Sequence, residues 1–212
     1  MVFDSDLELF LEQGLKEIGL DVPQGAIQKL MSFVVLLDKW NQVFNLTAIK
    51  DPNQSVIRHI FDSLSALPFL FGHRIIDVGT GAGLPGIPLA AVLPEHEFVL
   101  LDSNGKKTRF VLQAVSELGL KNITVVQTRV EMYHPELLFD TVMSRAFASI
   151  RDMINKTKHL CAPQGIFLTM KGEYPETELE TLPNGVIVSE IQKVDVPGLN
   201  AERHIVCLKR AS

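Results

Sequence analysis

The sequence has few of the features that mark secreted, membrane-spanning or metal-dependent proteins. Its 212 residues include two cysteines, Cys161 and Cys207, which match no metal-ligand spacing and are predicted to be buried and reduced, as in cytoplasmic proteins. No apolar run approaches the roughly 18 residues of a membrane span, and the first residues are acidic rather than basic. We therefore expect no membrane association, no signal peptide, no metal site and a cytoplasmic location.

The chain also lacks the excess of basic residues that is typical of nucleic-acid-binding proteins. Its formal net charge is −5. Residues 1–21 account for all of it, with six acids against one base, whereas the remaining 19 acids and 19 bases balance. If RNA is a partner, the protein must bind it with a local patch, or bind a substrate already shaped by other components.

A glycine-rich stretch from Arg74 to Leu93 is the feature around which the chain is organised. A β-branched run that ends in Asp77 predicts a buried strand, four glycines follow within eight residues, and the sequence from Pro85 predicts a helix. Glycine permits positive φ angles and lets a ligand approach where a Cβ would clash. This stretch is therefore typical of a nucleotide cradle.

Two cofactors fit this loop. Gly81-x-Gly83-x-x-Gly86 satisfies the dinucleotide fingerprint, whereas Asp77-x-Gly79-x-Gly81-x-Gly83 resembles motif I of S-adenosylmethionine-dependent methyltransferases. A dinucleotide places its pyrophosphate on the helix N-terminus, but S-adenosylmethionine carries an ammonium and a sulfonium, which an acid at Asp77 suits better. An NAD(P)-dependent oxidoreductase and a purely structural glycine turn remain as alternatives.

A second acid, Asp102, ends the next predicted strand, Glu97 to Ser103. It lies about twenty residues beyond the glycines, where such folds place the acid that accepts hydrogen bonds from a ribose diol. A helix cap before Asn104 is the alternative role. Two acids that end successive strands on either side of a glycine loop are a more specific signal than either acid alone.

Strands and helices alternate after the loop, which predicts parallel βαβ units with ligands at the carboxyl ends of the strands. By this rule Val130 and Glu131, after the third strand, and Arg145, after the fourth, line one crevice. Lys171 ends the fifth strand. Further elements are predicted as a helix over 104–118, strands over 122–131 and 139–146, a helix from 149 to near 162, a strand over 165–172, and two last strands over 185–196 and 203–210 that close one side of the sheet.

The residues before the glycine loop predict helices. One begins at Ser5 and ends near Gly19, a second begins at Pro23 and extends to Phe44, and a third covers roughly 53–60. Asn41 falls on the apolar stripe of the second helix, either as part of a helix cap or for a functional reason. His59 is predicted as a core histidine or a site residue.

The sequence lacks the motifs that two known methyl-transfer mechanisms require, and this restricts the chemical class of the methyl acceptor. Cytosine-C5 enzymes need a thiolate, usually in a Pro-Cys context, and neither cysteine fits. Enzymes for exocyclic amines carry Asn/Asp-Pro-Pro-aromatic after the fourth strand, where this chain has Ser144 to Phe147. An acceptor with a free lone pair, such as guanine N7, or a small-molecule or protein acceptor remains, for which alignment matters more than a base. Arg145 suits such a site through guanine O6, a phosphate or the cofactor; a surface salt bridge is its alternative role.

Along nearly its whole length the chain resembles the RsmG family, also called GidB or glucose-inhibited division protein B, the bacterial 16S rRNA guanine-N7 methyltransferases. The matching segments are LLDKWNQVFNLTAI, RHIFDSL, DVGTGAGLPGIPLA, VMSRAFAS, KG at 171–172 and RHIVCLKR. The first two lie outside the generic cofactor fold and therefore distinguish this family from other methyltransferases.

The resemblance implies an α/β, Rossmann-like class I S-adenosylmethionine-dependent methyltransferase fold: a mostly parallel twisted sheet with helices on both faces, over residues 73–212. Residues 1–72 would form a helical extension packed on it. The implied product is 7-methylguanosine in the decoding-region loop of 16S rRNA, in naked rRNA or a small-subunit particle, made by a monomer that needs no protein partner. A non-catalytic RNA- or ribosome-binding protein with a relic fold is a further alternative.

The resemblance also implies a set of cofactor contacts, and no general base. The cofactor residues, including those predicted from the loop itself, are Asp77, Gly79, Gly81, Leu84, Asp102, Val130, Glu131 and Arg145. Arg145 is the predicted positioning residue for catalysis, and Lys171 and His59 are candidates for positioning RNA.

Overall fold

The alternation of apolar strands with helices produces a mostly parallel sheet. The computed structural model describes residues 5–211. Within these residues, seven strands pair in the order β3-β2-β1-β4-β5-β7-β6. All pairs from β3 to β5 are parallel, whereas β7 runs antiparallel to both β5 and β6, so the predicted terminal strands do close one side of the sheet. The strands are β1 (Arg74–Val78), β2 (Glu97–Asp102), β3 (Ile123–Gln127), β4 (Phe139–Ser144), β5 (Cys161–Lys171), β6 (Val186–Lys193) and β7 (His204–Arg210).

The predicted helices follow one another in the expected order, but the short helix Glu176–Leu179 between β5 and β6 was not predicted. In the third predicted helix a π-helical stretch, Val56–Phe61, joins two α-helical segments. The helical backbone continues to Leu64, and Phe61 and Leu64 are both fully buried. The α-helices are α1 (Ser5–Glu17), α2 (Ala26–Phe44), α3 (Pro52–Ser55), α4 (Asp62–Leu64), α5 (Gly86–Val92), α6 (Gly105–Glu117), α7 (Ile150–Thr157) and α8 (Glu176–Leu179).

The boundary between α7 and β5 differs from the prediction. The helix ends at Thr157 rather than near 162, and β5 begins at Cys161 rather than at Gly165. Cys161 pairs with Phe139, and the register then shifts before Ile166, so the residues between bulge out of the ladder. At Gly165 a Cβ would lie 2.8 Å from the carbonyl oxygen of Asp140. The sequence Pro-Gln-Gly therefore makes a bulge within a strand and not a turn before one.

The sheet is covered by hydrophobic clusters on both faces. Ile75 and Leu100 belong to one cluster and their neighbours Ile76 and Leu101 to the other, as expected for alternating side chains. The described N-terminal helices share the first cluster with α5 and α6, and α7 packs in the second. Among residues 5–211, no helix is both long and apolar enough to cross a membrane.

The centre of the sheet determines where the site lies. β1 lies between β2 and β4, so the connections that follow β1 and β4 leave the sheet in opposite directions. The crevice beyond the carboxyl ends of these strands is the usual ligand position in open α/β sheets. The glycine loop occupies this position.

Candidate active site

The glycine loop after β1 adopts a backbone that other residues rarely adopt. Gly79 has a φ of 73° and Gly81 a φ of 61°, both in the left-handed region that favours glycine. A Cβ on Gly79 would lie 2.7 Å from the Cβ of Ala146. The loop after β4 therefore approaches the glycine loop closely, and only glycine permits this contact.

Asp77 holds the glycine loop in place through hydrogen bonds. Its side chain is fully buried, and its Oδ2 accepts hydrogen bonds from Thr80 Oγ1 (2.7 Å) and from the backbone N–H of Gly86 (3.0 Å). Its Oδ1 is buried without a hydrogen-bond partner among the described residues. Burial raises the pKa of Asp77 from 3.8 to about 7, although the Thr80 hydroxyl and the charge of Arg145 oppose this shift. The Oδ1 atom is the part of Asp77 that could still hold a cation.

Asp102 supports the same loop from β2. Its Oδ2 accepts a hydrogen bond from the backbone N–H of Gly81 (2.9 Å), and its Oδ1 accepts one from that of Asn104 (2.8 Å). The side chain of Asn104 caps α6, so Asp102 is not the helix cap itself. Each of the two predicted acids thus fixes the backbone of the loop between them.

Two cavities lie beside the glycine loop and share Gly79 and Ala146 in their walls. We call them the acidic cavity, of about 280 Å³, after Asp102 and Glu131, and the basic cavity, of about 230 Å³, after its two cationic side chains. The acidic cavity also contains Arg129 and Lys156, which balance its two acids. The acidic cavity is lined by Val78, Gly79, Leu101, Asp102, Ser103, Thr128, Arg129, Val130, Glu131, Ala146, Phe147 and Lys156; the basic cavity is lined by Leu46, Thr47, His59, Gly79, Thr80, Gly81, Ala82, Leu84, Lys107, Arg145 and Ala146.

Most of the predicted site residues line one of these cavities. Asp102, Val130 and Glu131 line the acidic cavity, and a short 3-10 turn, Val130–Met132, brings the last two there after β3. Four more predicted residues, Gly81, Leu84, His59 and Arg145, line the basic cavity, and Gly79 lines both cavities.

Asp77 and Lys171 lie outside both linings. Asp77 is buried and holds the glycine loop, as described above. Lys171 forms an ion pair with Glu178, whose two carboxylate oxygens each lie 2.9 Å from its Nζ, and the same Glu178 accepts a hydrogen bond from the backbone N–H of Ile150. Lys171 thus joins β5 to α7 and α8. A role of Lys171 in positioning RNA stays a prediction.

The segment after α2 forms one wall of the basic cavity, and its residues were not predicted. Asn41 accepts a hydrogen bond from the backbone N–H of Thr47 (2.8 Å) and donates one to the carbonyl oxygen of Ile49 (3.1 Å). The helix ends at Phe44, and its C-cap residue, Asn45, adopts a left-handed backbone with φ of 50°. Asn41 therefore shapes the segment that carries Leu46 and Thr47 to the cavity, and a polar residue on an apolar stripe was the sequence signal for it.

His59 is buried beside this wall. Its Nε2 lies 3.1 Å from Thr47 Oγ1. Burial, and secondly the charge of Arg145, lower the pKa of His59 to about 4. His59 is therefore neutral near pH 7.

Arg145 points toward the basic cavity and is held by an acid that the sequence did not single out. Its Nη1 donates to Oδ2 of Asp62 at 2.8 Å, and the side chain of Asp62 is 5% exposed. Lys107 is a second cation in the lining that was not predicted; its Nζ lies 3.9 Å from the position that a Cβ on Gly81 would occupy. The basic cavity thus carries two cationic side chains beside a neutral histidine.

The cysteines are not part of either cavity. Both are free and buried, as predicted. Burial raises the pKa of Cys161 to about 11 and that of Cys207 to about 12. Neither thiol is a nucleophile at neutral pH.

The strand order, with an antiparallel β7 beside β5, and a glycine loop between two strand-ending acids define the Rossmann-like fold class of S-adenosylmethionine-dependent methyltransferases. The crystal structure of a SAM-dependent methyltransferase from Aquifex aeolicus shares this fold, with a TM-score of 0.58 and 19% sequence identity over 77% of this chain and 96% of that chain. The predicted fold class is confirmed.

Within this class the chain belongs to the GidB family, described as rRNA small subunit methyltransferase G, whose family model matches residues 26–206. A ribosomal RNA small subunit methyltransferase G from Nitrosococcus oceani is 51% identical over 97% of this chain and 96% of its own length. One of the same name from Alteromonas mediterranea is 47% identical over 99% of this chain and 100% of its own. The family resemblance drawn from the motifs is thus confirmed.

Proposed function

We propose that this protein transfers the methyl group of S-adenosylmethionine to N7 of a guanine in 16S rRNA, which gives 7-methylguanosine. The near-full-length similarity to proteins named ribosomal RNA small subunit methyltransferase G supports an rRNA substrate. The chemistry of the site supports an acceptor that needs no deprotonation.

The observation that carries the proposal is the pair of cavities that meet at Gly79 and Ala146. The acidic cavity offers the carboxylates of Asp102 and Glu131, which suit the hydroxyls of a ribose. The basic cavity offers Arg145 and Lys107, which suit the phosphates and the O6 atom of a nucleotide. A donor that extends from the acidic cavity to Gly81 in the basic cavity would meet the acceptor beside Gly79, which lines both cavities.

The residues present fit S-adenosylmethionine, which supplies a methyl group on a sulfonium when it is bound. The missing Cβ of Gly81 leaves open space on the cavity side, since the nearest atoms among the described residues, Lys107 Nζ and the backbone oxygen of Gly79, lie 3.9 and 4.0 Å from its position. The unpartnered Oδ1 of Asp77 gives a buried acceptor for an ammonium. Asp102, already held by two backbone N–H groups, is preorganised to accept further hydrogen bonds.

The basic cavity contains no strong general base among its lining residues. His59 has a pKa of about 4, and its Nε2 already faces the Thr47 hydroxyl. Guanine N7 carries a lone pair and no proton at neutral pH, so it needs alignment rather than activation. Correct alignment alone contributes on the order of 7–11 kcal/mol. In this proposal Arg145 orients the base through O6 or a phosphate and leaves N7 free.

The test uses purified protein, radiolabelled S-adenosylmethionine and three RNA forms: naked 16S rRNA, small subunits and assembly intermediates from cells that lack the gene. Borohydride reduction and aniline treatment then cleave the RNA at 7-methylguanosine. We expect cleavage at one guanine in one of the three forms. Methyl incorporation without such cleavage would refute guanine N7 as the acceptor.

A binding measurement separates the alternative functions. S-Adenosylhomocysteine should raise the melting temperature and NAD should not. A rise with NAD alone would favour an oxidoreductase. A protein that binds small subunits and leaves them unmethylated would instead fit a non-catalytic ribosome-binding role.

A further inference from the structure

Asp62 is a buried carboxylate that the chemistry described so far does not use. It opens α4, and each of its two oxygens accepts a different guanidinium. Oδ2 accepts from Nη1 of Arg145, and Oδ1 accepts from Nε of Arg203. The side chains of the two arginines are 26% and 20% exposed, against 5% for Asp62.

The three residues come from distant parts of the chain. Arg145 follows β4, 83 positions after Asp62, and Arg203 precedes β7, 141 positions after it. The cluster therefore ties the N-terminal helices to two strands of the sheet at the wall of the basic cavity. A buried ion pair adds little net stability, because desolvation offsets the attraction. Its geometry, in contrast, is well defined, because guanidinium and carboxylate groups meet in fixed directions.

The charge of the cluster faces the basic cavity. One carboxylate and two guanidiniums leave a single positive charge, and Arg145 is the member that lines the cavity. Only its Nη1 is used in hydrogen bonds among residues 5–211. The Nε and Nη2 donors of Arg145 are therefore left for a ligand while the side chain is held in place.

We infer that Asp62 is a positioning residue: it holds Arg145 against the basic cavity, and Arg203 holds Asp62 from the opposite side. This inference rests on the proposed function, in which Arg145 orients the target guanine. An arginine side chain has many rotamers, and fixing it before the substrate binds removes an entropic cost from the reaction. Loss of the clamp should thus affect alignment more than cofactor binding.

The variants are Asp62→Asn, Arg203→Ala and Arg203→Lys, with Glu202→Gln as the matched control. Glu202 is next to Arg203 but pairs with Lys193 on the surface, where both side chains are more than half exposed. Asp62→Asn should lower kcat by about 10- to 100-fold, since small misplacements of an aligning group have effects of this size. Affinity for S-adenosylhomocysteine should weaken by less than kcat falls, since the other predicted cofactor residues stay in place. Arg203→Lys should recover much of the activity that Arg203→Ala loses, because an ammonium still reaches the carboxylate, and Glu202→Gln should match the wild type.

A second readout does not depend on methyl transfer. The Nη1–H resonance of Arg145 and the Nε–H resonance of Arg203, assigned with Lys substitutions, should show slow hydrogen exchange in the wild type, because these are the groups that donate to Asp62. In Asp62→Asn the resonance of Arg145 should exchange faster. Fast exchange in the wild type, or a folded Asp62→Asn variant with wild-type kcat, would overturn the clamp. A wild type that methylates no guanine N7 while its arginine resonances remain protected would overturn the proposed function and leave the clamp standing.

If Asp62→Asn does not fold, the two substitutions at partly exposed Arg203 decide the question. Equal kcat for Arg203→Ala, Arg203→Lys and the wild type would overturn the role of Arg203 as the second holder. A graded loss, with Lys between Ala and the wild type, would support it.

Discussion

Asp77 provides the most direct test of how the glycine loop is held, because burial of its side chain disfavours the charged carboxylate. Its pKa is raised from 3.8 to about 7 by burial. A folded-state pKa above the unfolded value means that the folded protein binds the proton more tightly between these two pH values. The stabilisation is therefore complete below pH 3.8 and is lost as the pH rises to about 7.

Asp77→Asn removes this titration while it keeps an acceptor for Thr80 and Gly86. A difference of about three pH units corresponds to about 4 kcal/mol, at roughly 1.4 kcal/mol for each unit. Relative to the wild type, the Asn variant should thus gain up to about 4 kcal/mol in the free energy of unfolding between pH 4 and pH 8. Urea unfolding of both proteins, without cofactor, measures this difference, since the other titrating groups contribute equally to both curves.

The control for this experiment is Asp21→Asn, because Asp21 is exposed and solvent screens its charge. Its unfolding free energy should run parallel to that of the wild type across the pH range. If Asp77→Asn also runs parallel to the wild type, the buried carboxylate is not the group that we describe, and the reasoning from burial fails.

The same titration should couple to cofactor affinity. If the ammonium of the cofactor binds at Oδ1 of Asp77, binding needs the ionised carboxylate. The affinity for S-adenosylhomocysteine should then weaken by up to about tenfold for each pH unit below 7, as measured by calorimetry. A pH-independent dissociation constant in the wild type would remove Asp77 from contact with the ammonium.

Three other substitutions test single contacts. Gly81→Val should weaken binding of S-adenosylhomocysteine at least about tenfold in calorimetry, because the new side chain fills the cavity side of the loop. The control is Gly119→Val, since Gly119 has the same φ of 61° and open space around it. This control should show the backbone strain, about 1–2 kcal/mol, without the loss of binding. Arg145→Ala should reduce the rate of methyl transfer by more than it reduces RNA affinity in filter binding, and wild-type activity would remove this residue from the site. Asn41→Leu should destabilise the fold by about 1–3 kcal/mol in urea unfolding, because the backbone N–H of Thr47 loses its buried partner. An unchanged unfolding midpoint would contradict the role of Asn41 in shaping the segment after α2.

The sequence predicted the elements that depend on local chemistry. The run of β-branched residues before Asp77, the glycines that must take positive φ angles, and the second acid at Asp102 all act through neighbours a few residues away. The predicted boundaries failed where a tertiary contact decides them. At Gly165, close approach to the backbone of β4 keeps the chain in the strand, and no local propensity signals that approach.

The site divides in the same way. The cofactor loop between two acids was predictable from the sequence, because each acid ends a strand beside the glycines and parallel strands bring their carboxyl ends together. The contacts of Asp62 with Arg145 and Arg203 were not predictable from the sequence, because residues 83 and 141 positions apart come into contact through sheet register and helix packing. Local patterns constrain backbone shape over a few residues, whereas the partners of a buried charge depend on which distant segments the packed core brings beside it.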